Sequence, residues 1–548
     1  MTSTSHHSGF SSPTPTVIAS PPQPNNQRQQ EGAGDDGHRE LNDTLIKPTQ
    51  VSLSAPGKET NPNVVTWDDS NDPANPRNWS LKYRWFVTFL ISVNNLNVTY
   101  SSSSPSTTAP FIAHDFHSSR EVSYFVTSLF LLGYVFGPIF WGPGSEMFGR
   151  RAVLIPTLAA YTLFHLGQAL AHNMATLLVT RFLSGFFASG PLNNSGGVMA
   201  DLWDAAGRGP AASLLFTSIF LGPALGPVVS GFIVSSDAGW RWVFWVEMIF
   251  AGVCTIVSFF LMPETYGSYI LQQKAKRLRK EDPVKNKDLR AEGEVKWTLD
   301  ILLERTLYRP FKMLVQEPIL VLVTLYTSMV YAVLYALFEA FPVIFIGHHK
   351  LSISHDGLIF LGVGIGTTLG AVSNLWIEGE RYKYLIKHWR GFPPPEQRLY
   401  GAVIGGPLLV IGCFWLGWTG AYNQVPWYVP ALSTIVIGAA IGLVYLSFLS
   451  YLVDTYLMFA ASAFAANTMV RSATAAAFPL FTTQMFNNMG IQWAATLIGL
   501  IATVLAPIPL LFLKFGARIR TRSRFAPCID LKIAKELEAE QAAREKDV

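Results

Sequence analysis

The stretch Leu131–Leu154, LLGYVFGPIFWGPGSEMFGRRAVL, narrows the possible folds more than any other part of the chain. An apolar, glycine-containing run stops at a charged turn, and a second apolar run begins at once. The first run is long enough to belong to a segment crossing a hydrocarbon layer. The turn is too short to link two domains. Glu146, Arg150 and Arg151 stand where two spans emerge into water, and two basic residues in so short a loop point to the cytoplasmic face. Apolar blocks of about 20 residues recur along the chain. With 49% hydrophobic and only 14% charged residues among 548, this is the balance of a polytopic membrane protein rather than of a soluble enzyme. The expected fold class is therefore an all-α membrane protein, in which each spanning helix satisfies its own backbone.

Several function classes drop out. A net charge of +4 suits basic cytoplasmic loops and needs no nucleic-acid partner. Cys254, Cys413 and Cys528 are scattered, and His6, His7 and His38 are dispersed in the N-terminal tail, so neither a disulfide framework nor a metal site is expected. No Gly-x-x-x-x-Gly-Lys-Ser/Thr loop is found, which argues against ATP-driven export. No linked catalytic unit is evident, so no enzyme activity and no cofactor are expected. Residues 1–75 are rich in Ser, Pro, Asn, Gln and Gly and are expected to be a disordered cytoplasmic tail. They carry no cleavable-signal pattern, which leaves the first span as the signal anchor.

An N-terminal six-helix half is expected over 76–270. Its first span, about Phe86 to Ser106, contains Asn94, Asn95, Asn97 and Tyr100, which either face a polar cavity or hydrogen-bond between helices. The second span follows Arg120 and Glu121, and the third starts near Ala152. The fourth contains Arg181, which needs water, carbonyls or a counter-ion at that depth. The fifth contains Gly222–Gly231, GPALGPVVSG, and the sixth opens with GWRWVFWVE, Gly239–Glu247. A hydrophilic bridge, 271–318, carries KAKRLRK at Lys274–Lys280. A second half, 319–516, holds spans near Ile319–Phe341, Gly357–Trp376, Leu399–Trp418, Trp427–Leu452, Ala460–Phe481 and Trp493–Phe515. Basic residues from Lys514 to Arg524 put the C-terminal tail, 517–548, in the cytoplasm with the N terminus, as an even span count requires.

Gly142, Glu146, Gly149, Arg150 and Arg151 resemble the G-x-x-x-D/E-x-x-G-R-R/K signature of the major facilitator superfamily. The resemblance implies a twelve-helix fold in two pseudo-symmetric six-helix halves, with this loop acting as a latch between rocking half-bundles. Arg181-Phe-Leu-Ser-Gly resembles the family's fourth-helix motif, whose arginine is associated with proton coupling. Gly222, Gly226 and Pro227 resemble the antiporter motif, although Ser230 replaces one of its closing glycines. The Trp-Arg-Trp at 240–242 and Pro263-Glu264-Thr265 are similar to fungal drug:proton antiporters with twelve spans. The resemblance implies a proton-coupled antiporter that exports drugs, toxins or other amphipathic organic compounds across the plasma membrane. Its partners are then protons, small organic substrates and membrane lipids, and it works as a monomer. A dedicated exporter of a secondary metabolite or organic acid, and a polyamine exporter, are the alternatives; a channel or a sensor is a different class.

The transport-coupling candidates are Arg181, Glu247, Glu339 and Asp454. Cavity candidates are Asn97, Phe338, Asn467, Arg471 and Phe478. Gly142, Glu146, Gly149, Arg150, Arg151, Gly222, Gly226 and Pro227 are conformational candidates. A cationic substrate asks for acids in the cavity and an organic acid asks for bases, which Arg181 and Arg471 supply.

Overall fold

The computed structural model describes residues 63–546, apart from 205–206, 285, 293 and 295–297. The expected disorder of residues 1–62, with His6, His7 and His38, lies outside the described residues. Residues 63–75, which the sequence assigns to the tail, are among the described residues. Val64–Val65 (β1) pairs in parallel with Arg290–Ala291 (β2), and Val65 packs with Leu271, Ala275 and Ala291 of the bridge.

The spanning helices of the first half are α1 (Leu81–Ser103), α2 (Arg120–Phe148), α3 (Arg150–Ala169), α4 (Met174–Leu202), α5 (Arg208–Val234) and α6 (Arg241–Leu261). The second half holds α7 (Pro318–Phe341), α8 (Ile353–His388), α9 (Tyr400–Gly420), α10 (Tyr428–Tyr456) and α11 (Ala460–Met489). Its last span is built from α12 (Ile491–Leu505) and α13 (Ile508–Arg520). Nine stretches of the described residues are long and apolar enough to cross a membrane, and one of them, Tyr428–Met489, contains both α10 and α11. The remaining two of the twelve, α1 and α4, owe their lower hydropathy to the Asn, Ser and Thr they carry. Ser80, Ser119, Asn173 and Ser352 cap the first turns of α1, α2, α4 and α8 with side-chain oxygens.

The halves meet along α5 against α8 and α2 against α11. The centre of the bundle is α7, in which every residue from Tyr326 to Phe341 is buried. Two of the boundaries that differ from the sequence expectation bear on the site. α8 runs on to His388, because the helix-forming segment RYKYLIKH continues it past Trp376. α1 stops at Ser103 and passes into tighter turns over Ser104–Thr108.

Candidate functional site

The break in α1 builds the polar centre of the first half. Pro105 has no N–H, so the carbonyl of Ser101, four residues earlier, loses its helical donor. Arg181 of α4 fills that place: its Nη2 donates to the Ser101 oxygen at 2.8 Å. Its Nε donates to the Val126 carbonyl at 2.9 Å. Nη1 lies 3.4 Å from Glu247 Oε2 and 3.4 Å from Gln168 Oε1, and the guanidinium sits 4.4 Å above the Phe130 ring. Arg181 and Glu247 are fully buried. A charge at that depth survives only when paired and hydrogen-bonded, and the carbonyls, the carboxylate and the ring face together meet that condition.

Glu247 of α6 is shared. His165 Nδ1 of α3 is 2.9 Å from its Oε2, and Ser104 Oγ donates to its Oε1. His165 Nε2 is 3.3 Å from Ser184 Oγ, and the Tyr161 ring meets the imidazole edge to face at 4.4 Å. Tyr161 Oη in turn donates to Ser101 Oγ at 2.6 Å. Glu247 and His165 are thus in direct contact, and the carboxylate is shared between a guanidinium, an imidazole and a hydroxyl. Neutralising Glu247 removes the counter-ion of Arg181 while leaving its two carbonyl acceptors in place. Glu247 is therefore one of several groups that hold Arg181, and one of the network's hydroxyls, Ser104, belongs to the broken turn of α1.

That same turn leans on the motif in α5. A Cβ at Gly222 would lie 2.1 Å from Thr99 Oγ1, and one at Gly226 would lie 2.2 Å from Ser103 Oγ, so only glycine lets α5 approach α1 this closely. Pro227 deprives the Pro223 carbonyl of its donor, and Ser103 Oγ replaces it at 2.9 Å. Ser230, the departure from the motif, accepts from Thr107 Oγ1 at 2.8 Å. The far side of Pro227 presses its carbonyl against Gly357 of α8. α5 is therefore wedged between the broken helix and the opposite half.

The cavity candidates separate. Arg471 of α11 is buried over the Tyr331 ring at 4.3 Å and the Tyr445 ring at 5.2 Å. Asn467, one turn away, donates to Thr327 Oγ1 at 2.7 Å. Phe338 is stacked on Phe360 at 5.0 Å and closes the same aromatic column. Asn97 is buried with both amide atoms unpartnered, whereas Asn94 donates to Ser258 Oγ at 2.9 Å and so links two helices. Phe478 is half-buried against exposed Phe481, away from these rings. Glu339 accepts from Thr483 at 3.4 Å through one oxygen, and its other oxygen has no partner among the described residues. Asp356, absent from the sequence candidates, is buried, and among the described residues neither of its carboxylate oxygens has a partner.

The loop signature is a one-residue turn. Gly149, at φ +94°, connects α2 to α3 in a conformation that favours glycine. The acid serving this turn is Glu264, which accepts from the backbone N–H groups of Arg150 at 2.9 Å and Arg151 at 3.1 Å, on the N-terminus of α3. Arg150 pairs with Asp201 at 3.1 Å and donates to Ser145 Oγ at 2.6 Å, and Arg151 donates to the Phe259 carbonyl at 2.8 Å. Glu146 forms no ion pair among the described residues, and a Cβ at Gly142 would meet nothing within 4 Å. All these contacts lie within the first half.

Asp454 is not brought to Arg181. It accepts from Arg398 Nε at 2.9 Å and Tyr382 Oη at 2.7 Å, while Arg398 also holds Glu378 at 2.6 Å. This is the second-half counterpart of the Arg150–Asp201 pair: a basic residue between two helices, bound to an acid at the end of a third. Its cation escaped the sequence reading because the extended α8 pushes it well past the expected turn. Burial by itself lowers Arg398, but Asp454, Tyr382 and Glu378 outweigh it and hold the guanidinium above the ordinary arginine range.

Residues 90–479 match the sequence profile of the Major Facilitator Superfamily. The chain is 41% identical over 508 residues to an MFS-type efflux pump of Trichophyton rubrum, covering 92% of this chain and 84% of that protein. It is 40% identical over 483 residues to the citrinin biosynthesis cluster MFS transporter of Monascus ruber, covering 88% of this chain and 94% of the relative. In fold it is similar to the proton:xylose symporter XylE, with a TM-score of 0.57 at 19% identity, over 80% of this chain and 96% of that one. The chain belongs to the major facilitator superfamily, as a multi-pass membrane transporter built on its twelve-helix fold.

Proposed function

We propose that this transporter is a proton-coupled antiporter that exports amphipathic organic compounds, drugs and toxins among them, across the plasma membrane. The observation that carries this reading is the buried Arg181–Glu247–His165 network, tied through Ser104 to the turn on which α5 rests. Protonation of Glu247 or His165 alters the charge balance around Arg181, and the broken turn passes that change to α5 and, through Gly357, to the second half. Coupling needs such a shared two-state element between proton and substrate. The halves, 76–270 and 319–516, rock about the bridge at 271–318, and one monomer holds the whole path. The basic residues Arg150, Arg151, Lys274–Lys280 and Arg518–Arg524 support a cytoplasmic position for their end of the bundle and for both tails (1–75 and 517–548), by the positive-inside rule.

Sealed vesicles with an acidic lumen test this reading. Substrate added outside should accumulate inside while protons leave, and a protonophore should abolish the accumulation. Downhill flux that moves no protons and ignores the protonophore would overturn it. A narrower reading, export of one secondary metabolite, is favoured by the relative named for a biosynthesis cluster. It predicts competition by a single compound class in the same assay.

A further inference from the structure

Two of the buried arginines of the bundle, Arg181 and Arg471, differ in their partners. Arg181 is saturated by carbonyls and a carboxylate. Arg471, only 3% exposed, forms no ion pair with an acid among the described residues. Its Nε is buried without a hydrogen-bond partner, and among the described residues its guanidinium makes neither a hydrogen bond nor an ion pair. Arginine stays charged in proteins, and a buried cation without a counter-ion is unfavourable. The acids of the bundle are placed elsewhere. Glu247 is held by Arg181, His165 and Ser104. Asp454 is held by Arg398, and Glu317 accepts from Ser523 at 2.6 Å. Glu339 meets α11 at Thr483, about 18 Å along that helix from Arg471 at 1.5 Å per residue.

What surrounds Arg471 is aromatic. Tyr331 and Tyr445 offer ring faces, and Phe220 of α5 packs edge to face on Tyr445 at 4.8 Å from the opposite half. Tyr335 Oη bonds Ser102 of α1 at 2.7 Å across the same seam. The site thus lies between the halves, where alternating access exposes it to either side. Ring stacking engages the face of a guanidinium and leaves its in-plane N–H fork available, in the geometry that binds a carboxylate or sulfonate with two parallel bonds.

We propose that Arg471 is the recognition group for a substrate anion, and that the preferred substrates are aromatic organic anions: a carboxylate, phenolate or sulfonate on a flat apolar body. The charged group takes the guanidinium fork and the apolar body lies among Tyr331, Tyr445 and Phe220. This rests on the central seam being the transport path, as in the function proposed above.

The test is calorimetric titration of the purified full-length protein in detergent with 2-naphthoate, 2-naphthamide and 2-naphthylmethylammonium. Naphthoate should bind at least about tenfold tighter than the amide, as a charge-assisted hydrogen bond provides, and the ammonium should be weakest. Arg471→Gln should bring naphthoate and naphthamide within about twofold of each other, and Arg471→Lys should restore the preference only in part. Wild-type protein that binds the amide or the ammonium as tightly as the anion, or that binds no anion, overturns the proposal even if the variants fail to fold. So does an Arg471→Gln protein that keeps the anion preference. Vesicle flux of naphthalene-2-sulfonate separates this from the coupling mechanism. Arg471-dependent sulfonate flux without proton movement defeats antiport and leaves the anion site standing. Proton-driven flux confined to the ammonium does the reverse.

Discussion

Arg181 Nη2 lies 2.8 Å from the carbonyl oxygen of Ser101, an acceptor that Pro105 leaves without its helical donor. A proline in one helix thus prepares the binding place for a cation in another. The relationship is specific enough to break by one substitution. Pro105→Ala returns an N–H to the chain, lets α1 continue, and sets the backbone in competition with Arg181. Gradient-driven accumulation in vesicles should fall about tenfold or more, the worth of one hydrogen bond to a charged group. Unfolding stability should move by no more than about 1 kcal/mol. Unchanged accumulation by the variant would show that the Ser101 carbonyl is dispensable.

The acid at the Gly149 turn is the second point. Glu264 accepts from Arg150 and Arg151 and also from Thr265 and Tyr266 backbone N–H groups, at 3.0 Å and 2.9 Å. Glu264→Ala removes a cap from α3 and should cost about 1–2 kcal/mol in thermal unfolding. Glu146→Ala removes the signature's own acid and should cost less than about 0.5 kcal/mol. Equal losses would contradict the assignment of the capping role to Glu264.

A third outcome concerns acid pH at the opposite end of the bundle. Trp240 Nε1 donates to Asp115 Oδ2 at 2.8 Å, and Arg241 Nη1 does so at 3.2 Å. The Trp240 hydrogen bond, with help from Arg241, holds the Asp115 carboxyl below its ordinary 3.8, against the opposing effect of burial. A depressed folded value means that the stabilisation is present above the unfolded value and is lost as pH falls through the folded one. Wild type should therefore be more stable than Asp115→Asn at neutral pH, by less than about 1 kcal/mol because the pair is exposed. The gap should close below pH 3.8. A gap that widens on acidification would contradict this account.

The spans were legible because apolar blocks and basic loops report directly on the hydrocarbon layer, and most helices begin and end within a few residues of where those blocks do. Arg181 was legible for the same reason, as a charge with nowhere else to go. Its environment was less so. His165 reads as an ordinary core histidine in an apolar span, and only its spacing from Gln168, on one face of α3, hinted at a polar cluster. The Pro105–Ser101 relation was available in the sequence, but which side chain would use the freed carbonyl depends on how α1 packs on α4. Asp454 looked equal to Glu247 because sequence does not give depth, and its partner Arg398 is displaced by the extension of α8. Glu146 carried the signature letter, whereas the capping geometry fell to Glu264, more than a hundred residues later.

Paired measurement of substrate and proton flux by Glu247→Gln in sealed vesicles tests the coupling mechanism most directly. The substitution keeps the side chain's shape and removes its charge, so Arg181 retains the Ser101 and Val126 carbonyls. The account predicts that Glu247→Gln still exchanges labelled for unlabelled substrate, yet neither accumulates it against a gradient nor moves protons. Asp454→Asn, altered in the separate Arg398 cluster, should keep the wild-type ratio of protons to substrate even where its turnover is lower. Gradient-driven accumulation by folded Glu247→Gln at the wild-type proton ratio would contradict the account.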